Sequence, residues 1–119
     1  MEFLDQDRFE SVSLAGIELT HLLSPRNSTS TRVQITAVTV APGVSQSRHA
    51  HDASEQIWVA LEGAGMLLLD GEHTRPFAKG QVVRFEDGDV HGFLNTGAVP
   101  FVYLAITAPP VRPAKPAAG

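Results

Sequence analysis

The punctuation of this chain constrains its fold more than any other feature. From Leu14 to Thr107, runs rich in β-branched and aromatic residues are cut by glycine, proline or acidic turn residues at intervals of about ten residues, which suits strands and not packed helices. Arg32 to Val40 (RVQITAVTV) is the clearest strand, with Val33, Ile35, Ala37 and Thr39 on one face and Ala41-Pro42-Gly43 ending it. Leu14 to Leu23 reads as a first strand, closed by the polar loop 24–30. Gln56 to Glu62, Met66 to Leu69, Glu72 to Phe77, Gln81 to Phe85 and Phe101 to Thr107 follow as further strands. Gly63-Ala64-Gly65 separates the first two of these, Asp70-Gly71 predicts a type I′ hairpin turn, and Glu86-Asp87-Gly88-Asp89 is another turn. Only the first ten residues hint at helical periodicity. About eight short strands predict an all-β fold, an antiparallel sandwich or barrel.

Composition narrows the function. At 119 residues the chain can bury one core but not two, and 43% hydrophobic with 18% charged residues is an ordinary globular balance. A net charge of −4 with scattered Lys and Arg gives no footprint for nucleic acid. No apolar run approaches the roughly 20 residues that span a membrane, and MEFLDQDRFE lacks a secretion-signal pattern, so a cytoplasmic protein is expected. The absence of cysteine removes disulfides, thiolate metal sites and a thiol nucleophile, so any site must use nitrogen and oxygen. From Ala108 the chain reads APPVRPAKPAAG, a proline-rich tail (108–119) expected to be polyproline-like.

The chemistry gathers in the stretch 43–63, GVSQSRHAHDASEQIWVALEG. His49 and His51 stand at i and i+2, and on an extended strand such residues share a face, so both imidazoles can reach one ion. A second stretch, 80–95 (GQVVRFEDGDVHGFLN), carries His91 just after a turn, a candidate third nitrogen. His21 and His73 read as structural or solvent-facing.

Together these stretches resemble the cupin family. Its first motif is matched by Gly43, His49, His51 and Gly63, and its second by Gly80, Gly88, His91 and Asn95, with Glu86 where the family usually has proline. The resemblance covers about residues 36–107 and implies a double-stranded β-helix, or jelly-roll barrel. The chain then divides into an N-terminal extension with the first strand (1–30), the barrel (31–107) and the tail. It also implies a divalent transition metal (Fe, Mn, Ni, Zn or Cu) held by His49, His51, His91 and an oxygen ligand.

That oxygen is the open point. Glu55 lies three residues after His51 and Gln56 four, and spacing back from Gly63 favours Gln56, with Glu55 the alternative. Adjacent strand residues face opposite ways. An inward Gln56 puts Trp58 and Ala60 on the pocket face and Ile57, Val59 and Leu61 on the other; an inward Glu55 does the reverse. Trp58 is thus a candidate pocket residue, although a core role is the commoner one for tryptophan.

The resemblance implies small-molecule chemistry at an open metal position. A metal-dependent isomerase, cyclase, lyase or dioxygenase acting on a small oxygenated substrate is the first reading, and no general base is visible at a recognisable spacing. A metal- and ligand-binding module without turnover, a sensor or storage protein, is the alternative. A homodimer is expected, with the apolar trio Ile57, Val59 and Leu61 compatible with a covered sheet face.

Overall fold

The computed structural model describes residues 1–110 and the backbone of residues 115–116. Two antiparallel sheets face one another, built from strands β1 (Glu10–Leu14), β2 (Ile17–Leu23), β3 (Gln34–Val40), β4 (Ser45–Ala50), β5 (Glu55–Glu62), β6 (Ala64–Leu69), β7 (Thr74–Ala78), β8 (Val82–Phe85), β9 (His91–Leu94), β10 (Phe101–Ala108) and β11 (Lys115–Pro116). One sheet runs β1-β2-β3-β10-β5-β8 and the other β11-β4-β9-β6-β7. Chain neighbours such as β3 and β4, or β4 and β5, thus lie in different sheets, and the chain winds between the two layers as a double-stranded β-helix.

Period-two burial explains why each run becomes a strand. In β3, Thr36, Val38 and Val40 are buried while Ile35, Ala37 and Thr39 are half-exposed on the outer face. β10 buries Phe101, Tyr103, Ala105 and Thr107, and β5 buries Gln56, Trp58 and Ala60. Leu67, Phe77, Phe85 and Phe93 complete the core from β6, β7, β8 and β9. Phe93 stacks on Phe101 and Trp58 on Tyr103, with ring centroids 4.1 and 4.3 Å apart.

Several elements differ from the sequence reading. The first strand is a hairpin, β1-β2, turned at Ala15-Gly16, both at positive φ. The turn after β6 is shifted by one residue from Asp70-Gly71: the positive φ values fall on Gly71 and Glu72, and His73 N–H donates to the Asp70 carbonyl. Residues 1–10 hold a single 3-10 turn, Gln6–Arg8, because they bury no apolar stripe that could stabilise a longer helix. β4 and β9, polar or histidine-bearing and short, are strands that the apolar pattern of the sequence does not predict. The polyproline tail falls largely outside the described residues; within them, Lys115 and Pro116 pair with Ala50 and His49 of β4.

Candidate metal centre

Three imidazoles meet at one end of the barrel. The ligand atoms of His49, His51 and His91 all lie within 4.8 Å of one another, and the His49 and His91 rings are 4.3 Å apart. They are positioned to bind a metal. His49 comes from β4, His51 from the segment just beyond it, and His91 from the first residue of β9, directly opposite His49 in the ladder.

Local hydrogen bonds choose the atoms that face inward. His49 Nδ1 lies 2.8 Å from the Ser47 carbonyl and His91 Nδ1 lies 2.9 Å from the Asp89 carbonyl. A carbonyl only accepts, so both Nδ1 atoms carry a proton and each ring has its Nε2 left for the cluster. Such carbonyl partners are what orient metal-ligating histidines. His51 has no hydrogen-bond partner for Nδ1 or Nε2 among the described residues, although both atoms are shut off from solvent.

Gln56 joins the cluster from β5. It is 9% exposed, and its Oε1 sits 3.1 Å from His91 Nε2. The amide orientation is fixed from both ends: Trp58 Nε1–H, which can only donate, reaches Oε1 at 2.7 Å, and Gln56 Nε2 donates to Thr107 Oγ1 at 2.8 Å. Glu55 faces the opposite way, with its side chain 46% exposed and paired to Arg84 at 3.2 Å. Trp58 is 1% exposed and spends its N–H on Gln56.

The electrostatics oppose protonation of His91 and of His51. Burial first, and His49 second, lower the His91 imidazole to about 4, and burial followed by His49 also lowers His51. Neutral His91, protonated on Nδ1, then leaves two acceptors, Nε2 and Gln56 Oε1, facing one another at 3.1 Å, an unfavourable contact. A cation held by both atoms would remove the conflict. The unpartnered His51 nitrogens point to the same remedy, so this donor set fits a metal.

The surroundings are apolar and tightly packed. Phe85 stacks on His91 at 4.3 Å with an interplanar angle of 13°, and Trp58 meets it edge-on at 5.5 Å. Below them Tyr103, pushed up by burial, donates to Gln46 Oε1 at 2.7 Å. Asn95, buried, ties the second motif down, donating to the carbonyls of Val40 and Val99 and accepting from Gly97 N–H. The supporting roles of Trp58 and Thr107 were missed in the sequence. Trp58 stands at i+2 from Gln56 and so shares its face, a readable signal, whereas Thr107 comes opposite Gln56 only through the β5-β10 register.

Comparison with known proteins gives the family and the fold. Residues 36–107 match the family model of the cupin domain. An uncharacterized protein of Methanocaldococcus jannaschii is 30% identical over 95 residues, covering 80% of this chain and 75% of that protein. In fold the chain is similar to the polyketide cyclase RemF from Streptomyces resistomycificus, with a TM-score of 0.80 and 21% identity over 100% of this chain and 87% of the other. It is also similar to a Bacillus subtilis oxalate decarboxylase with Mn(II) centres, with a TM-score of 0.76 and 21% identity over 88% of this chain and 29% of that longer one. No helix among the described residues is long and apolar enough to cross a membrane.

Proposed function

Because the chain belongs to the cupin family, we propose that it is a metal-dependent enzyme whose divalent transition metal is held by His49, His51, His91 and the Oε1 atom of Gln56, and that it acts on a small oxygenated substrate. The observation that carries this reading is the 3.1 Å approach of two acceptors, His91 Nε2 and Gln56 Oε1. When bound, the ion supplies Lewis acidity to a substrate oxygen or a centre for oxygen activation.

The chain's own residues then have distinct tasks. The Ser47 and Asp89 carbonyls hold the protons of His49 and His91 on the far side of each ring. Trp58 and Thr107 hold the Gln56 amide with its oxygen inward, so that Trp58 acts on the ligand and not on the substrate. Phe85, stacked on His91, keeps water off that ring. Four neutral donors leave the site with the full charge of its ion, which favours isomerisation, cyclisation or lyase chemistry at a polarised oxygen. The fold likeness to a cyclase and a decarboxylase is compatible with this class.

The test is elemental analysis of protein purified without a histidine tag, followed by turnover assays on a panel of hydroxy and keto acids and cyclisable ketones. One equivalent of metal and metal-dependent turnover, both lost in His49→Ala/His51→Ala, are expected. Metal-dependent ligand binding without turnover would instead support a sensor or storage module, and protein without stoichiometric metal would sink the reading. We further propose a homodimer through the outer face of the six-stranded sheet, where Ile35, Ala37, Ile57, Val59, Leu104 and Ile106 form an apolar, half-exposed, in-register patch.

A further inference from the structure

The pairing of β4 with β9 contains one irregularity. Gln46 pairs with Phe93 and His49 with His91, so three steps along β4 match two along β9, and Ser47 and Arg48 together oppose the single residue Gly92. This is a β-bulge. Without it, Gln46 and His49 would face opposite sides of the sheet. With it, both face inward, Gln46 to the Tyr103 hydroxyl and His49 to the histidine cluster.

Gly92 is not needed for a left-handed backbone, since its φ is not positive. It is needed for space. A Cβ at this position would lie 2.6 Å from the Gln46 carbonyl oxygen, 2.9 Å from the Ser47 carbonyl carbon and 3.0 Å from Arg48 N, all backbone atoms of the bulge. The Ser47 carbonyl is the group that holds the proton of His49 on Nδ1. From the other side, Arg48 clamps the bulge by donating from Nε to the Leu69 carbonyl at 2.7 Å, and Leu69 pairs with His91.

We infer that Gly92 is a positioning residue for the metal centre: its missing side chain makes room for the bulge that turns His49 inward and aims its Nε2, and Arg48 secures the same bulge. The inference rests on the metal reading above. It makes Gly92, which ligates nothing, a determinant of metal affinity that acts through one ligand alone.

The test titrates metal-free protein with Co(II) alone, read by its visible d–d absorption and by competition with a chelator. Gly92→Ala should weaken binding at least tenfold and change the Co(II) spectrum, whereas in a His49→Ala background the same substitution should change affinity less than twofold. Gly65→Ala is the control, because its Cβ would also strike β9 and the three atoms nearest to it belong to the Phe93 ring and the Leu94 carbonyl, not to the bulge. It should lower the melting temperature and leave the affinity within twofold of wild type. If Gly92→Ala does not fold, Arg48→Ala serves in its place, with a several-fold loss that also vanishes in the His49→Ala background. Wild-type affinity in a folded Gly92→Ala or in Arg48→Ala, or losses that multiply with His49→Ala, would overturn the inference. Failure of the wild-type protein to bind Co(II) would instead overturn the metal reading itself.

Discussion

Acidification of the metal-free protein should destabilise it through His91. Burial and the neighbouring His49 hold this imidazole at about 4, against an ordinary 6.5. Between those two pH values the unfolded chain carries a proton on the ring that the folded chain refuses. Stability rises with pH wherever the unfolded state binds more protons. The His91 contribution is therefore fully present above pH 6.5 and is lost as the pH falls towards 4. At about 1.4 kcal/mol per pH unit the loss reaches about 2.5 kcal/mol by pH 4.5, a large share of the roughly 5–15 kcal/mol that keeps a small domain folded. His51, shifted in the same direction by burial and by His49, steepens the slope. Urea unfolding of chelator-treated protein between about pH 7.5 and 4.5 measures it, with His91→Phe as reference because phenylalanine keeps the stacking on Phe85. The difference between the two curves measures the cost of keeping the His91 ring neutral. Parallel stability curves would refute the reasoning, whereas a wild-type curve that falls about 2.5 kcal/mol further, and further still with saturating metal, is the expected result.

Other consequences follow from the same contacts. Gln56→Glu should remove one positive charge from the loaded site, raising Co(II) affinity about tenfold while lowering any Lewis-acid turnover, measured by chelator competition and initial rates. Trp58→Phe deletes the donor that holds Gln56 Oε1 inward; Co(II) affinity should fall about tenfold, and His49→Ala should not mask the effect. Asn95→Ala leaves two carbonyls and one N–H without their partner and should cost about 2–4 kcal/mol in urea unfolding. Leu104→Arg in the outer-face patch should give a monomer by sedimentation at micromolar concentration with the Co(II) spectrum unchanged.

Much of this fold is legible in the sequence because period-two burial writes itself into residue type. β3, β5 and β10 alternate between core and half-exposed side chains, and their apolar residues mark them as strands on either face. β4 and β9 are less legible because their inward positions carry Gln46, His49 and His91, which look polar until the cluster that they build is known. The bulge leaves no local signature: Ser47 and Arg48 are ordinary strand residues, and only the space beside Gly92 admits the extra one. Asp-Gly, the commoner type I′ pair, predicts the hairpin turn after β6 one residue earlier than the structure has it, because here Glu72 takes the second positive φ. The histidine cluster, positioned to bind a metal, has a signal in the spacing, but the hydrogen bonds that aim His49 and His91 come from the carbonyls of Ser47 and Asp89, and any residue type supplies a carbonyl.

The inward turn of Gln56 in place of Glu55 shows how packing decides chemistry in this barrel. A slip of one residue in β5 would bring Glu55 inward and turn Trp58 out. Apolar area alone does little to forbid it, since Ile57 and Val59 would replace Trp58 and Ala60 in the core. The obstacles are specific. Trp58 fills the space against Tyr103 at 4.3 Å and Phe85 at 5.2 Å, a volume that isoleucine cannot match, and a cavity of that kind costs several kcal/mol. Glu55 would also give up Arg84 at 3.2 Å and solvent for a buried carboxylate, while Gln56 would leave the Trp58 and Thr107 partners that satisfy it. The β5 register is therefore set by an aromatic core residue two positions from Gln56. The neutral amide that faces the histidines, and the full charge it would leave on a bound ion, are consequences of where the tryptophan fits.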